Sequence, residues 1–504
     1  MQLQLEERRR EIVKYAGEKN AFIDEKATRL LWEKDDYQEL IDELVGEGTV
    51  FINEELVRKK MLRTKLSDVE PGHVVVHNKG FKPLAKEFEG KVKVVRKSDV
   101  TGQSKSEGKT ADFLFYFRRK FELLSQMLKR RQGLSLRPIS RLKASPKGRP
   151  VDFIAMVFRK WVTKNGHTAF ELEDPEGKCI GLIMKDDKAL ASIAERILVD
   201  SVIAVKAVKW NEDMVIIKEV FWPDLPIRQP KRVDTELLIA STSDFHVGSR
   251  LFLEKPCNSF LAWINGQNGT EKERENAGKV KYLVISGDNV DGVGIYPNQF
   301  EELAIKDIYE QYREFSRLIM QVPEYIEIVI CPGQHDAVRW ADPQPAIPKE
   351  FVEELYARGN VHFVGSPSWL EIEGLKTMVY HGGSLHDLIG SVGFLNSERP
   401  EEAMIEALKK RDIMSTYGMK QPYVPEKEDF LVVKEEPDLV YIGDMHHNAY
   451  GNYRGTTVIN SGTWQARTEY QVKLGHNPTP GIVPVFEMKT GKISEKRFLE
   501  KSGL

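Results

Sequence analysis

Three cysteines in 504 residues, Cys179, Cys257 and Cys331, are too few and too irregularly spaced for a disulfide framework, and none forms a CxxC metal knuckle. Ordinary buried thiols in a reducing cytoplasm are expected. No apolar run approaches the roughly 18 to 20 residues that cross a bilayer, and the segment MQLQLEERRR is charged from its start. The expectation is a soluble, cytoplasmic protein without a membrane partner. An excess of one charge is missing as well: 74 Lys and Arg stand against 76 Asp and Glu, a net charge of -2. That balance excludes a surface basic all over and confines any nucleic-acid contact to local patches. What the chain does have is bulk. With 41% apolar residues over this length, it can fill about two to four cores, hence several domains.

Residues 1–65 read as a small helical domain. From Glu7 to about Met61, apolar positions recur at helical spacing (Leu30, Leu31, Leu40, Ile41, Leu44, Val45) up to Gly46 and Gly48. Residues 66–145 read as a linker holding one docking helix. Ser98–Thr110 is rich in Gly, Ser and Lys and is expected to be mobile. Phe113, Leu114, Phe117, Phe121, Leu124 and Leu128 then form an apolar stripe that ends in the basic run Lys129, Arg130, Arg131.

Residues 146–232 change texture to short β-rich runs separated by turn signals such as Lys164-Asn165-Gly166 and Asp174-Pro175-Glu176-Gly177. Five strands with one helix before the fourth suggest an OB-fold barrel. Trp161, Phe170, Trp210 and Phe221 could stack bases there; a barrel serving only as a protein-protein module is an equal reading. The Pro-rich connector Pro223–Arg232 closes the segment.

Residues 233–504 carry the chemistry. Apolar runs end repeatedly in His, Asp, Asn or Gln: Leu237–Ala240 before Asp244 and His246, Tyr282–Ile285 before Asp288 and Asp291. Ile326–Ile330 leads to Gln334, His335 and Asp336, Met378–Tyr380 to His381, and Leu439–Ile442 to Asp444 and His446. Continuous apolar runs are strands buried on both faces, and ligands gather at the ends of such strands. Five strand ends are expected to converge on one edge. Two divalent ions about 3.5 to 4 Å apart can clamp a phosphate and activate water, and they require oxygen and imidazole ligands. Asp288, between tight turns, suits a bridging carboxylate. Asp244 and His246 reach one pocket if the chain bends between them. His335 suits a general acid, with Asp336 orienting its ring.

In this order, DxH, GDxxD, GxHD, a strand-ending His and GxxH resemble the calcineurin-like metallophosphoesterase superfamily. The resemblance implies an α/β, four-layer phosphoesterase β-sandwich with flanking helices. It implies Asp244, His246, Asp288 and His446 around one metal, and Asp288, Gln334, His381 and Asp444 around the other. The superfamily usually has Asn at the place of Gln334 and His at that of Asp444. Both replacements keep a ligating oxygen, and the added carboxylate favours Mn²⁺ or Mg²⁺.

The flanks narrow the resemblance. The barrel, the helical start, the text SDVTGQSKSEGKTADFLFYFRRKFELLSQMLKRR and the closing INSGTWQARTEYQ (459–471) resemble the small subunits of archaeal family D DNA polymerases. This implies a DNA-directed DNA polymerase subunit with 3′ to 5′ exonuclease activity. The implied partners are a large catalytic subunit, single-stranded and primer-template DNA, and a sliding clamp. The alternative is an assembly subunit whose pocket no longer turns over. A freestanding phosphatase fits the flanks less well. Arg250, Arg339 and Trp340 are candidate DNA contacts with Trp161 and Trp210. Asp291 reads as a helix cap, and His386 and Asp387 as features outside the ligand set.

Overall fold

Helical spacing of apolar side chains shapes the unit that spans Met1–Val76. Helices α1 (Gln2–Glu18), α2 (Glu25–Leu31) and α3 (Tyr37–Gly46) bury Ile12, Ala16, Ala27, Leu31, Leu40, Ile41 and Leu44 in one core. Asp24 caps α2 by accepting the Ala27 amide at 2.7 Å. The unit is not wholly helical. Strands β1 (Phe22–Ile23) and β2 (Phe51–Ile52) pair in parallel, which satisfies backbone groups in the segments that flank the helices. The computed structural model describes residues 2–19, 21–32, 37–46, 49–54, 56–57, 80–142, 144–414 and 416–499. Residues 58–65 of the expected helical domain and 66–79 of the expected linker lie outside the described residues.

The second unit spans His77–Leu504. From Phe81 on, the stretch read as linker is seated on the body that follows it. Strand β3 (Val92–Val94) runs antiparallel to residues 370–372 at a sheet edge. Asp99, buried, accepts the amides of Thr101 and Gly365. Glu426 accepts the amides of Lys105 and Ser106 at 3.0 and 3.3 Å. Single polar residues anchor this stretch to distant partners, so its composition resembles that of a free linker.

Helix α4 (Thr110–Lys129) buries Tyr116, Lys120, Leu124, Ser125 and Leu128. Phe113, Phe117 and Phe121 pack at the margins of that face. Leu114, expected in the stripe, is exposed together with Phe115. Lys120 takes the central place because Asp412 pairs with it at 2.6 Å inside the core.

Strands β4 (Pro150–Val162), β5 (Thr168–Asp174), β6 (Gly177–Ile183), β7 (Val202–Lys209) and β8 (Met214–Phe221) close a barrel in the order β4-β5-β6-β8-β7. Helix α5 (Lys188–Arg196) precedes the fourth strand, as the pattern predicts. Phe170 points inward and is fully buried with Phe153, Leu172 and Val205. It therefore cannot offer a stacking face. Trp161 and Phe221 are half-buried, and Trp210 is exposed with Lys147 4.7 Å above its ring.

The remaining strands are β9 (Leu238–Thr242), β10 (Val280–Ser286), β11 (Glu327–Cys331), β12 (Val361–Phe363), β13 (Ser368–Ile372), β14 (Leu375–Val379), β15 (Leu439–Ile442), β16 (Ala449–Tyr453), β17 (Thr456–Asn460), β18 (Ile482–Glu487) and β19 (Ile493–Arg497). One six-stranded sheet has the order β12-β11-β10-β9-β18-β19, the other β16-β17-β15-β14-β13-β3. Strands β9 to β12 are mutually parallel, as are β14, β15 and β17. Ile239, Tyr282 and Val284 of the first sheet share a core with Val379, Tyr441 and Ile459 of the second. The alternate residues Ala240, Leu283 and Ile285 pack with Phe260, Trp263 and Phe315 from helices α6 (Glu254–Ile264) and α8 (Ile308–Ile319). Met378, Val440 and Ile442 pack with Ala403, Met404 and Ala407 of helix α11 (Pro400–Lys410); α7 (Glu271–Lys279), α9 (Glu353–Ala357) and α10 (Leu385–Ser391) fall between these in sequence. Both faces of the central strands are thus covered, which explains why their sequences are continuously apolar. Among the described residues, no helix is long and apolar enough to cross a membrane.

Candidate metal centre

The five predicted strand ends do meet, but they come from two sheets. β9, β10 and β11 of the first sheet deliver residues 244–246, 288 and 334–336; β14 and β15 of the second deliver His381 and residues 444–446. The backbone turns sharply where each strand ends. Asp244, His246, Asp288, Asp444 and His446 all have left-handed φ, between 49° and 68°. Non-glycine residues seldom adopt this conformation, and holding it costs of order 1–3 kcal/mol each. The two left-handed residues of the DxH motif supply the bend that turns both side chains into one pocket. Gly333 is required for a different reason: a Cβ there would collide with the carboxylate of Asp288 and with His381 Nε2.

Three groups, Asp244 with His246 and His446, His246 with Asp288 and His335, and Asp244 with Asp288 and His381, each bring their ligand atoms within 4.8 Å of one another. His246 Nε2 lies 3.0 Å from His446 Nε2 and 3.8 Å from Asp288 Oδ2. His446 Nε2 is 3.4 Å from Asp244 Oδ1. On the other side His381 Nε2 lies 3.2 Å from Asp288 Oδ2 and 3.7 Å from Asp444 Oδ1. Its Nδ1 donates to the Ser286 carbonyl at 2.7 Å, which turns Nε2 toward the pocket. Asp288 thus stands between the two halves. Burial alone would raise its carboxyl pKa, but His381, His335 and His246 outweigh that and hold it well below the usual range.

Gln334 Oε1 is buried without a hydrogen-bond partner, and the buried His381 Nε2 and Asp444 Oδ2 have only Asp288 Oδ2 and the His386 ring, respectively, within 3.2 Å. Gln334 is fixed through its amide, 3.4 Å from Gln421 Oε1, and Gln421 in turn donates to the Trp340 carbonyl at 3.1 Å. These donors suit a cation that takes oxygen and imidazole ligands.

Two residues exchange their expected parts. Asp336 does not orient His335: its carboxylate accepts the amides of Gly333 and Asn289 and the hydroxyl of Tyr312, tying the ends of β10 and β11 together. Its neighbour in sequence points the other way, and the His335 ring is held instead by the Asp291 carbonyl, 2.7 Å from Nδ1. Asp291 caps no helix. Its Oδ1 lies 3.0 Å from His246 Nδ1 and accepts from Gln465 at 3.2 Å, so it orients a candidate ligand. The closing motif supplies further braces: Trp464 donates to Thr242 Oγ1 at 2.6 Å, and the Gln471 side chain meets His446 Nδ1 at 2.8 Å. His386, set aside in the sequence, lies 3.2 Å from Asp444 Oδ2. A His within five residues of a candidate ligand was the available signal. Arg339 is no free phosphate contact, because Pro343, Ser104 and Glu426 engage its guanidinium. Arg250 and Trp340 are exposed.

The residues that carry this cluster, 239–452, match a family model that describes the B subunits of DNA polymerases alpha and epsilon. That places the body among B-type subunits of DNA polymerases. More particularly, the chain belongs to the DNA polymerase II small subunit family of archaea. The relative from Methanothermobacter thermautotrophicus is 36% identical over 493 residues, 96% of this chain and 99% of that one. The one from Methanocaldococcus jannaschii is 39% identical over 423 residues, covering 83% and 70%. The one from Archaeoglobus fulgidus is 36% identical over 483 residues, covering 94% and 95%.

Proposed function

We propose that this centre holds two divalent cations, Mn²⁺ or Mg²⁺, and hydrolyses phosphodiester bonds at the 3′ end of DNA, while the chain supports DNA synthesis by a large catalytic subunit. The observation that carries this reading is a buried cluster of ligand atoms satisfied only by one another. Each buried polar atom without a partner costs about 1–3 kcal/mol; Gln334 Oε1 is left so, while His381 Nε2 has only Asp288 Oδ2, and Asp444 Oδ2 only His386, within reach at 3.2 Å. A cation answers all three. Asp244, His246, Asp288 and His446 would hold one ion, and Asp288, Gln334, His381 and Asp444 the other. We read the body as the four-layer calcineurin-like sandwich, the barrel as an OB fold, and their junction as lying near residue 232.

When bound, such ions polarise the phosphate, lower the pKa of water and neutralise developing charge. The chain's residues do the rest. Asp288 turns Oδ2 toward both His246 and His381 and would be shared by the two ions, while its Oδ1 accepts the His335 amide at 2.9 Å. Asp291 and Asp336 fix the turns that carry the ligands. His335 is the general acid. Burial lowers its pKa, but Asp288 and Asp291 raise it further, to above its ordinary value. With Nδ1 engaged by the Asp291 carbonyl, Nε2 is the atom free to protonate the departing sugar oxygen.

The test is digestion of a 5′-labelled single-stranded oligonucleotide with Mn²⁺, with and without the large subunit, beside Asp288→Ala and His335→Ala. Shortening from the 3′ end that both substitutions abolish is expected. No cleavage under any divalent cation, with the complex still polymerising, would overturn hydrolysis and leave an assembly subunit.

A further inference from the structure

Beside His335 stands a side chain that none of the motifs include. The Tyr296 ring centroid lies 6.2 Å from that of His335, the planes tilted by 60°. Tyr296 is half-buried, on a loop whose neighbours Val293 and Phe300 are exposed. The loop is nevertheless held firmly. Gln299, itself buried, accepts the Ile295 amide at 2.9 Å and donates to the Asp291 carbonyl at 2.7 Å. Gln311, also buried, accepts the Gly292 amide at 2.8 Å and donates to the Ile305 carbonyl at 2.8 Å. The Tyr296 hydroxyl donates to Glu302 Oε2 at 2.9 Å, and the Glu302 carbonyl accepts the Arg250 amide at 3.0 Å. An aromatic face is therefore pre-placed beside the candidate acid, with the exposed Arg250 next to its anchor.

We propose that Tyr296 is the stacking platform for the nucleobase at the end being cleaved, so that the centre selects an unpaired terminal nucleotide. The inference rests on the hydrolase reading above and specifies its substrate. A base that has left its pairing partner can lie on the ring beside the candidate acid, and every base has a π face, so the platform takes frayed or mismatched ends without reading sequence. Arg250 lies where it can meet the phosphate backbone.

The test uses the full chain and two 5′-fluorescein-labelled single-stranded oligonucleotides with phosphorothioate linkages at the 3′ end, one intact and one with an abasic terminal nucleotide. Binding is read by anisotropy in Mg²⁺, with Tyr296→Ala and Tyr296→Phe beside the native chain. The native chain is expected to favour the intact end about tenfold. Tyr296→Ala loses that preference, while Tyr296→Phe, which keeps the ring and gives up only the bond to Glu302, retains it. Equal binding of both ends by the native chain, or an unchanged preference in Tyr296→Ala, would overturn the platform. Because binding is read without turnover, a Tyr296-dependent preference in a chain that cleaves nothing would keep the subsite and discard only the hydrolysis.

Discussion

The Nε2 atoms of His246 and His446, 200 residues apart in sequence, stand 3.0 Å from each other at the bottom of the site. His246 Nδ1 is engaged by Asp291, so its Nε2 faces the other ring as a bare lone pair. Two imidazole nitrogens at this spacing suit the ligand sphere of one cation, whose nitrogen ligands sit about 2.0–2.1 Å from a metal such as zinc.

Adding Mn²⁺ to metal-free protein should therefore raise its melting temperature. A ligand at 100 times its Kd contributes about 2.7 kcal/mol. Calorimetry with and without the ion checks this, and Asp288→Asn should abolish most of the increment.

Asp291→Ala should weaken metal binding by about 10- to 100-fold, because the ring of His246 loses the partner that sets its tautomer and orientation. Competition of Mn²⁺ against a chromophoric chelator measures it. The companion Asp336→Ala should instead loosen the junction of β10 and β11, visible as a fall in stability in the absence of metal.

Lys120 and Asp412 form an ion pair buried in the core under α4. Lys120→Ala leaves a buried carboxylate without its cation and should cost about 3–5 kcal/mol in urea denaturation. Replacing both residues, Lys120→Met with Asp412→Leu, should cost less, since the Asp412 charge goes with its partner and only the buried Asp429 still loses the cation.

Glu406 on α11 joins the barrel to the body: Arg196 at the end of α5 donates to it at 3.2 Å through Nε, and Lys410 also pairs with it. Burial raises the Glu406 pKa, but Lys410 and Arg196 outweigh that and lower it below its ordinary value. A depressed acid contributes stability that is fully present above its unfolded pKa, about 4.3. That stability is lost as pH falls from there toward the folded value. Unfolding free energy should thus decline through this acidic window, and Glu406→Gln should flatten the decline.

Much of the site was legible in order along the chain. A strand covered on both faces must be apolar throughout, and a turn that carries a ligand must break that run with Asp, His or Gly, so each strand-ligand pair is a local signal. The five barrel strands and the helix before the fourth were legible for the same reason, because alternation and turn residues act over a few neighbours. Phe170 and Leu114 were misplaced because composition marks an aromatic or apolar residue without saying which side of its element faces the core.

Neighbours in the chain were thus enough to set the order of the strand ends, the residue types gathered at them and the barrel's strand plan. Folding in three dimensions was needed to bring ligands from two sheets together, to give Asp291 to His246 and Asp336 to two loops, and to carry Gln421, Gln471 and His386 to the centre. It also anchored residues 92–106 through Asp99 and Glu426 rather than leaving them free. Each of these rests on distances between residues tens or hundreds of positions apart, and such distances leave no period or motif in the chain that sets them.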